Sequence, residues 1–159
     1  MTESGCVQVI SAHSPNDLPV VRELFQEYAD SLKIDLCFQN FREELATLPG
    51  KYAPPAGCLL LAKEEQTIAG CVGVRAIGPG IAEMKRLYVR PAFRRKGLGR
   101  FLAQSAIEVA RSMGYSLMRL DTLAIMREAI ALYESLGFQK IPPYYDNPSE
   151  YALFFELIL

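Results

Sequence analysis

The segment Ile81 to Thr122 constrains the fold of this chain more than any other. Ile81 to Val89 alternates in the manner of a strand. A basic turn, Arg94-Arg95-Lys96-Gly97-Leu98-Gly99-Arg100, leads from it into an amphipathic helix with the apolar stripe Leu98, Phe101, Leu102, Ser105, Val109 and Met113. Gly114 stops that helix, and Leu117 to Thr122 returns as a strand. A strand–helix–strand unit of this kind joins two parallel strands by a right-handed crossover. The remaining chain must therefore be arranged around a sheet that contains a parallel pair.

The other elements alternate similarly. Val7 to Ser11 reads as a short strand, and Ser14-Pro15-Asn16-Asp17 as a helix start, with Ser14 as cap and Pro15 at the first helical position. Leu18, Val21, Phe25, Tyr28 and Leu32 then fall on one helical face. Phe41 to Leu48 predicts a second short helix, ended before Pro49-Gly50, and Pro54-Pro55 lies in a loop. Cys58 to Lys63 and Thr67 to Ile77 form a hairpin around Glu64-Glu65-Gln66. Met126 to Leu136 predicts a helix closed by Gly137; Gln139 to Ile141 and Tyr151 to Leu159 are the last strands. Within Ile81 to Val89, strict alternation sends Glu83, Lys85, Leu87 and Val89 to one face and Met84, Arg86 and Tyr88 to the other.

A chain of 159 residues with this order suits one mixed α/β domain spanning 1–159. Its net charge of −1 gives no general attraction to nucleic acid or to a membrane surface. No apolar run is long enough to span a bilayer, and the first residues lack a signal-peptide pattern. Cys6, Cys37, Cys58 and Cys71 are widely spaced and His13 is the one histidine, so no metal motif is expected. This pattern fits reduced thiols in the cytoplasm. His13, just before a helix cap, is read as local structure.

The basic turn carries the first chemical signal. Gly97 and Gly99 let an anion approach the backbone closely. The first N–H groups of the following helix lack intrahelical partners and sit at its positive end. A phosphate suits such a site, and Arg94, Arg95, Lys96 and Arg100 add charge that neutralises a polyanion. The spacing is neither GxGxxG nor a P-loop. On these residues alone, a tight basic turn before a helix remains the competing reading.

The turn resembles the central motif of the GNAT superfamily of N-acetyltransferases, Arg/Gln-x-x-Gly-x-Gly/Ala, met here by Arg94, Gly97 and Gly99. Ala129 to Phe138 is similar to that family's second motif, and Phe154-Phe155-Glu156-Leu157 to its closing strand. The resemblance covers Gly57 to Leu159; the N-terminal part fits the family's order of elements without a motif of its own. It implies a mixed, mostly antiparallel sheet of six to seven strands, flanked by helices and splayed at a parallel pair. It implies acetyl-CoA as cosubstrate and no metal. The pantetheine arm would pair with the backbone of Leu87, Tyr88 and Val89, and the pyrophosphate would lie on Arg94, Arg95, Lys96, Gly97, Leu98, Gly99 and Arg100.

Transfer of acetyl to an amine needs a base, because a lysine-like ammonium has a pKa of about 10.4. It also needs a donor for the oxyanion, for which a backbone N–H near Leu87 is suited, and an acid for the departing thiolate. The resemblance implies Tyr133 as the acid; helical periodicity with Ala129, Leu132 and Leu136 makes it equally a packing residue. Glu83, four residues before Leu87, stands where some relatives carry their glutamate base. A carboxylate of ordinary pKa is a weak base for an ammonium, so that role calls for a raised pKa or a water relay. A structural or acceptor-orienting role for Glu83 stays open. Met126 occupies a position where many relatives have asparagine, so an amide contact to the cofactor arm is not expected.

The amine acceptor should be met by Tyr28 to Phe38 and by the aromatic loop Pro142 to Asn147, although that loop equally suits a surface turn packing its tyrosines on the sheet. Two other classes compete with the transferase reading. One is an acyl-CoA-binding sensor without turnover. The other is a nucleic-acid module using Arg86, Arg90, Arg94, Arg95, Lys96 and Arg100, disfavoured by the near-zero net charge. A homodimer is common in the family.

Overall fold

A computed structural model describes residues 5–32 and 40–159. Seven strands form one sheet in the order β1-β2-β3-β4-β5-β7-β6. They are β1 (Val7–Ser11), β2 (Cys58–Glu64), β3 (Thr67–Gly78), β4 (Ile81–Val89), β5 (Leu117–Leu123), β6 (Gln139–Ile141) and β7 (Ala152–Ile158). Every neighbouring pair is antiparallel except β4 and β5, which are parallel as the crossover requires. The helices are α1 (Leu18–Leu32), α2 (Phe41–Ala46), α3 (Leu98–Ser112) and α4 (Arg127–Ser135). Among the described residues no helix is long and apolar enough to cross a membrane.

The sheet separates two apolar clusters. On one side α3 and α4 cover Leu60, Val72, Val74, Met84, Met118, Leu120 and Phe155. On the other α1 and α2 cover Leu59, Leu61, Cys71, Tyr88 and Leu123, with Phe25 edge-on to Tyr52 at 5.8 Å between ring centroids. Even and odd positions of β2 and β5 fall on opposite sides, as the period of a strand dictates.

Three local features differ from the sequence reading. Ser14 does not cap α1 by a side-chain bond to the backbone. Its hydroxyl donates to the Asp17 carboxylate at 3.0 Å, and the Asp17 carbonyl accepts the first helical bond from Val21. The helix therefore begins at Leu18, with Pro19 in its first turn, where a missing N–H costs nothing. The buried face of α3 is Leu98, Leu102, Ala103, Ala106, Ile107 and Ala110, rotated from the expected stripe, and Phe101 is exposed. Three alanines let this helix approach the sheet, an effect that a count of large apolar residues overlooks.

The third difference lies in β4. Its pairing with β3 runs Gly73↔Lys85 and then Cys71↔Tyr88, so one extra residue is inserted on β4. Arg86 takes it up with φ +59°, a left-handed conformation costly for a residue with a side chain. The insertion reverses the facing of everything beyond it. Met84, Leu87 and Val89 join the cluster under α3, whereas Arg86 and Tyr88 face α1. The expected grouping of Leu87 and Val89 with Glu83 and Lys85 is thereby corrected.

Close approach of β3 to β4 at this point requires glycine. A Cβ at Gly70 would stand 2.5 Å from the Tyr88 carbonyl oxygen. Gly70→Ala should lower the unfolding free energy by about 1–3 kcal/mol, the usual cost of overfilling a packed site. Urea unfolding of parent and variant checks this, and a variant as stable as the parent would contradict it.

Candidate active site

The parallel pair is joined over a short stretch only. Ile81, Ala82 and Glu83 pair with Leu117, Met118 and Arg119, and there the ladder ends although both strands continue. Beyond Glu83, β4 runs on to Val89 beside β3, while β5 runs on to Leu123 beside β7. The sheet thus opens as a V between the two strands. Among the described residues, the inner edge of β4 from Leu87 to Val89 has no strand paired to it, and its peptide groups can pair with an extended ligand chain.

A groove of about 590 Å³ extends from this opening. Leu87, Tyr88 and Val89 form one wall, Arg94, Arg95, Gly97, Leu98 and Gly99 its end, and Met126, Ala129 and Leu132 the α4 side. Gly97 caps α3 with φ +79° and Arg95 has φ +65°, so the turn folds tightly and aims the first N–H groups of α3 into the end of the groove. Nothing stands within 4 Å of where a Gly97 Cβ would be, so it is backbone conformation and not crowding that calls for glycine there. Arg94 is held by donation from Nε to the Val89 carbonyl at 2.9 Å and lies 5.7 Å from the Tyr88 ring centroid.

Eight of the ten residues expected at the cofactor line this groove; Lys96 and Arg100 are engaged beside it. Lys96 Nζ contacts the Glu64 carboxylate at 3.2 Å, and Arg100 Nη2 donates to Ser135 Oγ at 2.6 Å. Met126 lines the groove and caps α4, and its sulfur accepts from the Thr122 hydroxyl at 3.6 Å.

Tyr133 is the buried residue of α4, edge-on to Phe138 at 5.8 Å and tilted against Phe155 at 6.5 Å. Burial raises its pKa, and Tyr28 and the Asp121 carboxylate add to the effect, so the phenol keeps its proton. Tyr133 packs in the cluster beneath α3 and α4 and is not among the residues lining the groove.

The α1 side of the V is polar and was largely missed by the sequence reading. Glu83 is 2% exposed; Arg75 donates to its Oε1 from Nε at 2.9 Å, Nη2 makes an ionic contact with the same oxygen at 2.9 Å, and the Tyr144 hydroxyl donates to Oε2 at 2.5 Å. Across the opening, Lys85 Nζ meets Asp121 Oδ1 at 3.2 Å, and the Tyr145 hydroxyl donates to Asp121 Oδ2 at 2.6 Å. Asn147 supports Tyr145 at 3.0 Å. Arg86 grips Glu44 through Nε at 3.0 Å and Nη2 at 3.1 Å and lies 5.1 Å from the Phe41 ring centroid. Charged residues inside an otherwise apolar strand, Lys85-Arg86 in β4 above all, were the signal for this layer. Of the expected acceptor segment, residues 33–38 lie outside the described residues. The loop Pro142 to Asn147 does reach the site, through Tyr144 and Tyr145.

Burial lowers the Lys85 pKa, and Asp121 opposes that shift. For Asp121 burial acts upward, but Lys85 and the hydroxyl of Tyr145 together outweigh it and hold the carboxyl below its usual value. Among the described residues no cluster of His, Cys, Asp or Glu could hold a metal ion.

With this geometry, the comparisons with known proteins are consistent. Residues 18–138 match the model of the acetyltransferase (GNAT) family. An uncharacterized N-acetyltransferase of Schizosaccharomyces pombe is 42% identical over 159 residues, covering 99% of this chain and 98% of its own. One of Dictyostelium discoideum is 31% identical, covering 90% and 94%. Among solved structures, an acetyltransferase from Streptococcus agalactiae superposes with a TM-score of 0.78 at 21% identity over 99% of this chain and all of its own. The yncA structure from Salmonella typhimurium, solved with its cofactor acetyl-CoA, gives 0.72 at 20% identity over 96% of this chain and 94% of its own. The chain belongs to the GNAT family and is an acetyltransferase.

Asp121→Asn should destabilise the fold by about 3–5 kcal/mol, because Lys85 loses its buried carboxylate. The sign follows from the lowered pKa of Asp121. Its contribution is present above the unfolded carboxyl value of about 3.9 and fades as pH falls through the lower folded value. The gap between parent and variant, measured by denaturant unfolding, should therefore hold at neutral pH and narrow below about pH 4.

Proposed function

We propose that the protein moves the acetyl group of acetyl-CoA to a primary amine of a small molecule or peptide, by direct attack in a ternary complex. The observation that carries this reading is the V between β4 and β5, where the groove ending at the N-terminus of α3 meets the buried polar layer. The groove fits the cosubstrate chemically: a basic, glycine-turned helix start for the pyrophosphate and an unpaired strand edge for the pantetheine amides. Leu87, Tyr88, Val89 and Arg94 to Arg100 would hold it, and the thioester it supplies would lie at the V. Lys96 and Arg100 act there as neighbouring positive charge.

The residues divide the chemistry between the two faces of the sheet. A backbone N–H near Leu87 stabilises the oxyanion. From the α4 side Tyr133 gives its proton to the departing sulfur. From the α1 side Glu83 receives the proton that the amine must lose. The acceptor enters on this second face, past the loop bearing Tyr144 and Tyr145. A single domain carries the whole arrangement, and its place of action is the cytoplasm.

Release of free CoA from acetyl-CoA, measured against polyamines, amino acids, aminoglycosides and peptide N-termini, tests the reading. At least one primary amine should accelerate release and emerge acetylated. Tight acetyl-CoA binding with no release by any amine would instead identify a sensor. Tyr133→Phe should lower kcat by about 10²-fold or more, the scale of a placed proton donor, with acetyl-CoA affinity unchanged. Full turnover in that variant would remove Tyr133 from the acid's role.

A further inference from the structure

Glu83 has a difficulty as a base that its own surroundings resolve. Its side chain is sealed, with 2% exposure, so neither an amine nor bulk water reaches it directly. Both guanidinium contacts fall on Oε1. An arginine can only donate and keeps its proton. Oε2 is taken by the Tyr144 hydroxyl at 2.5 Å, the length of a strong, charge-assisted bond. Tyr144 comes from the loop after β6, on the side of the V expected to meet the acceptor. Its ring is fixed edge-on to Tyr145 at 5.5 Å and to Phe154 at 5.2 Å, with the Arg119 guanidinium 5.4 Å from its centroid. A phenol donates one proton and still accepts another through its lone pairs.

We propose that Tyr144 is the proton relay between the acceptor amine and Glu83. The proposal rests on the acetyl-transfer reading and adds a catalytic residue to it. As nitrogen bonds to the acetyl carbon it becomes cationic, and its N–H proton passes to Tyr144 Oη while the phenolic proton of Tyr144 passes to Glu83 Oε2. The C–S bond breaks, the sulfur takes the proton of Tyr133, and the products are the amide and CoA. Glu83 ends protonated and Tyr133 deprotonated, and exchange with solvent after product release restores both. Because the two relay protons move together, Tyr144 never becomes a tyrosinate. That suits its setting, since burial, the Glu83 charge and the bond to Glu83 all raise its pKa. The charged and titratable groups facing this pair are Arg75 from β3, Lys85 from β4, Arg119 and Asp121 from β5, and Tyr145 from the loop.

The test is a double-mutant cycle of Tyr144→Phe and Glu83→Gln, read as pH profiles of CoA release with ethylamine and with the best acceptor of the amine panel. Each single variant should lose about 10²-fold in kcat/KM for the amine with acetyl-CoA KM unchanged. The double variant should be no worse than the singles, because both lie on one proton path. Additive losses would overturn the relay. Placing 3,5-difluorotyrosine at position 144 keeps the hydroxyl and should restore turnover even if the phenylalanine variant folds poorly. Failure of that rescue in a folded protein also overturns it. If the parent releases no CoA with any amine, the acetyl-transfer reading itself fails, and the relay with it.

Discussion

The end of the hydrogen-bond ladder at Glu83 and Arg119 is the constraint on which the rest of the molecule depends. Two parallel strands that continued to pair would close the sheet and leave no unpaired backbone for a ligand. Here β5 diverges because it pairs along its whole length with β7, from Leu117–Ile158 to Leu123–Ala152. Meanwhile β4 is held to β3, apart from the insertion at Arg86. The opening is therefore set by which neighbour each strand keeps, and no mobile element is needed to create it.

Opening a sheet exposes polar edges and removes side chains from their apolar neighbours, so the V must be stabilised across its width. The Lys85–Asp121 pair spans it directly, and Tyr144 and Tyr145 from one loop reach carboxylates on the two different strands. Each buried charge on this face has an opposite charge against it: Arg75 with Glu83, Lys85 with Asp121, Arg86 with Glu44. Breaking one such pair leaves an uncompensated charge in a poorly solvated place, which costs far more than forming the pair returns. The result is a rigid, polar wall facing a groove whose other wall is apolar and backbone-lined.

How much of this was legible in the sequence divides along the same line. The crossover unit and the basic turn were readable because each follows from local rules: strand period, glycine at a left-handed turn, free N–H groups at a helix start. Leu87, Tyr88 and Val89 were placed at the groove by the family resemblance. Strand boundaries were likewise close, Ile81–Val89 among them. The polar wall was not readable, because it is made by contacts between residues as distant as Glu44 and Arg86, or Glu83 and Tyr144. The insertion at Arg86 was hidden for a related reason. Alternation of side-chain character in β4 reads as regular, and only the partner strand shows that one residue is extra.

That insertion has a consequence for chemistry as well as for packing. In an uninterrupted strand Leu87 would share a face with Glu83. With one residue added, Leu87 and Val89 turn toward α3 and Tyr133, while Glu83 and Lys85 keep the α1 face along with Arg86. Tyr133, packed in the cluster with Leu87 and Val89, and Glu83, held by Arg75 and Tyr144, lie on opposite sides of the sheet. In the proposed transfer the proton donor and the proton acceptor would act from those two sides, with the Leu87 side chain turned to the donor's side by the left-handed residue at Arg86.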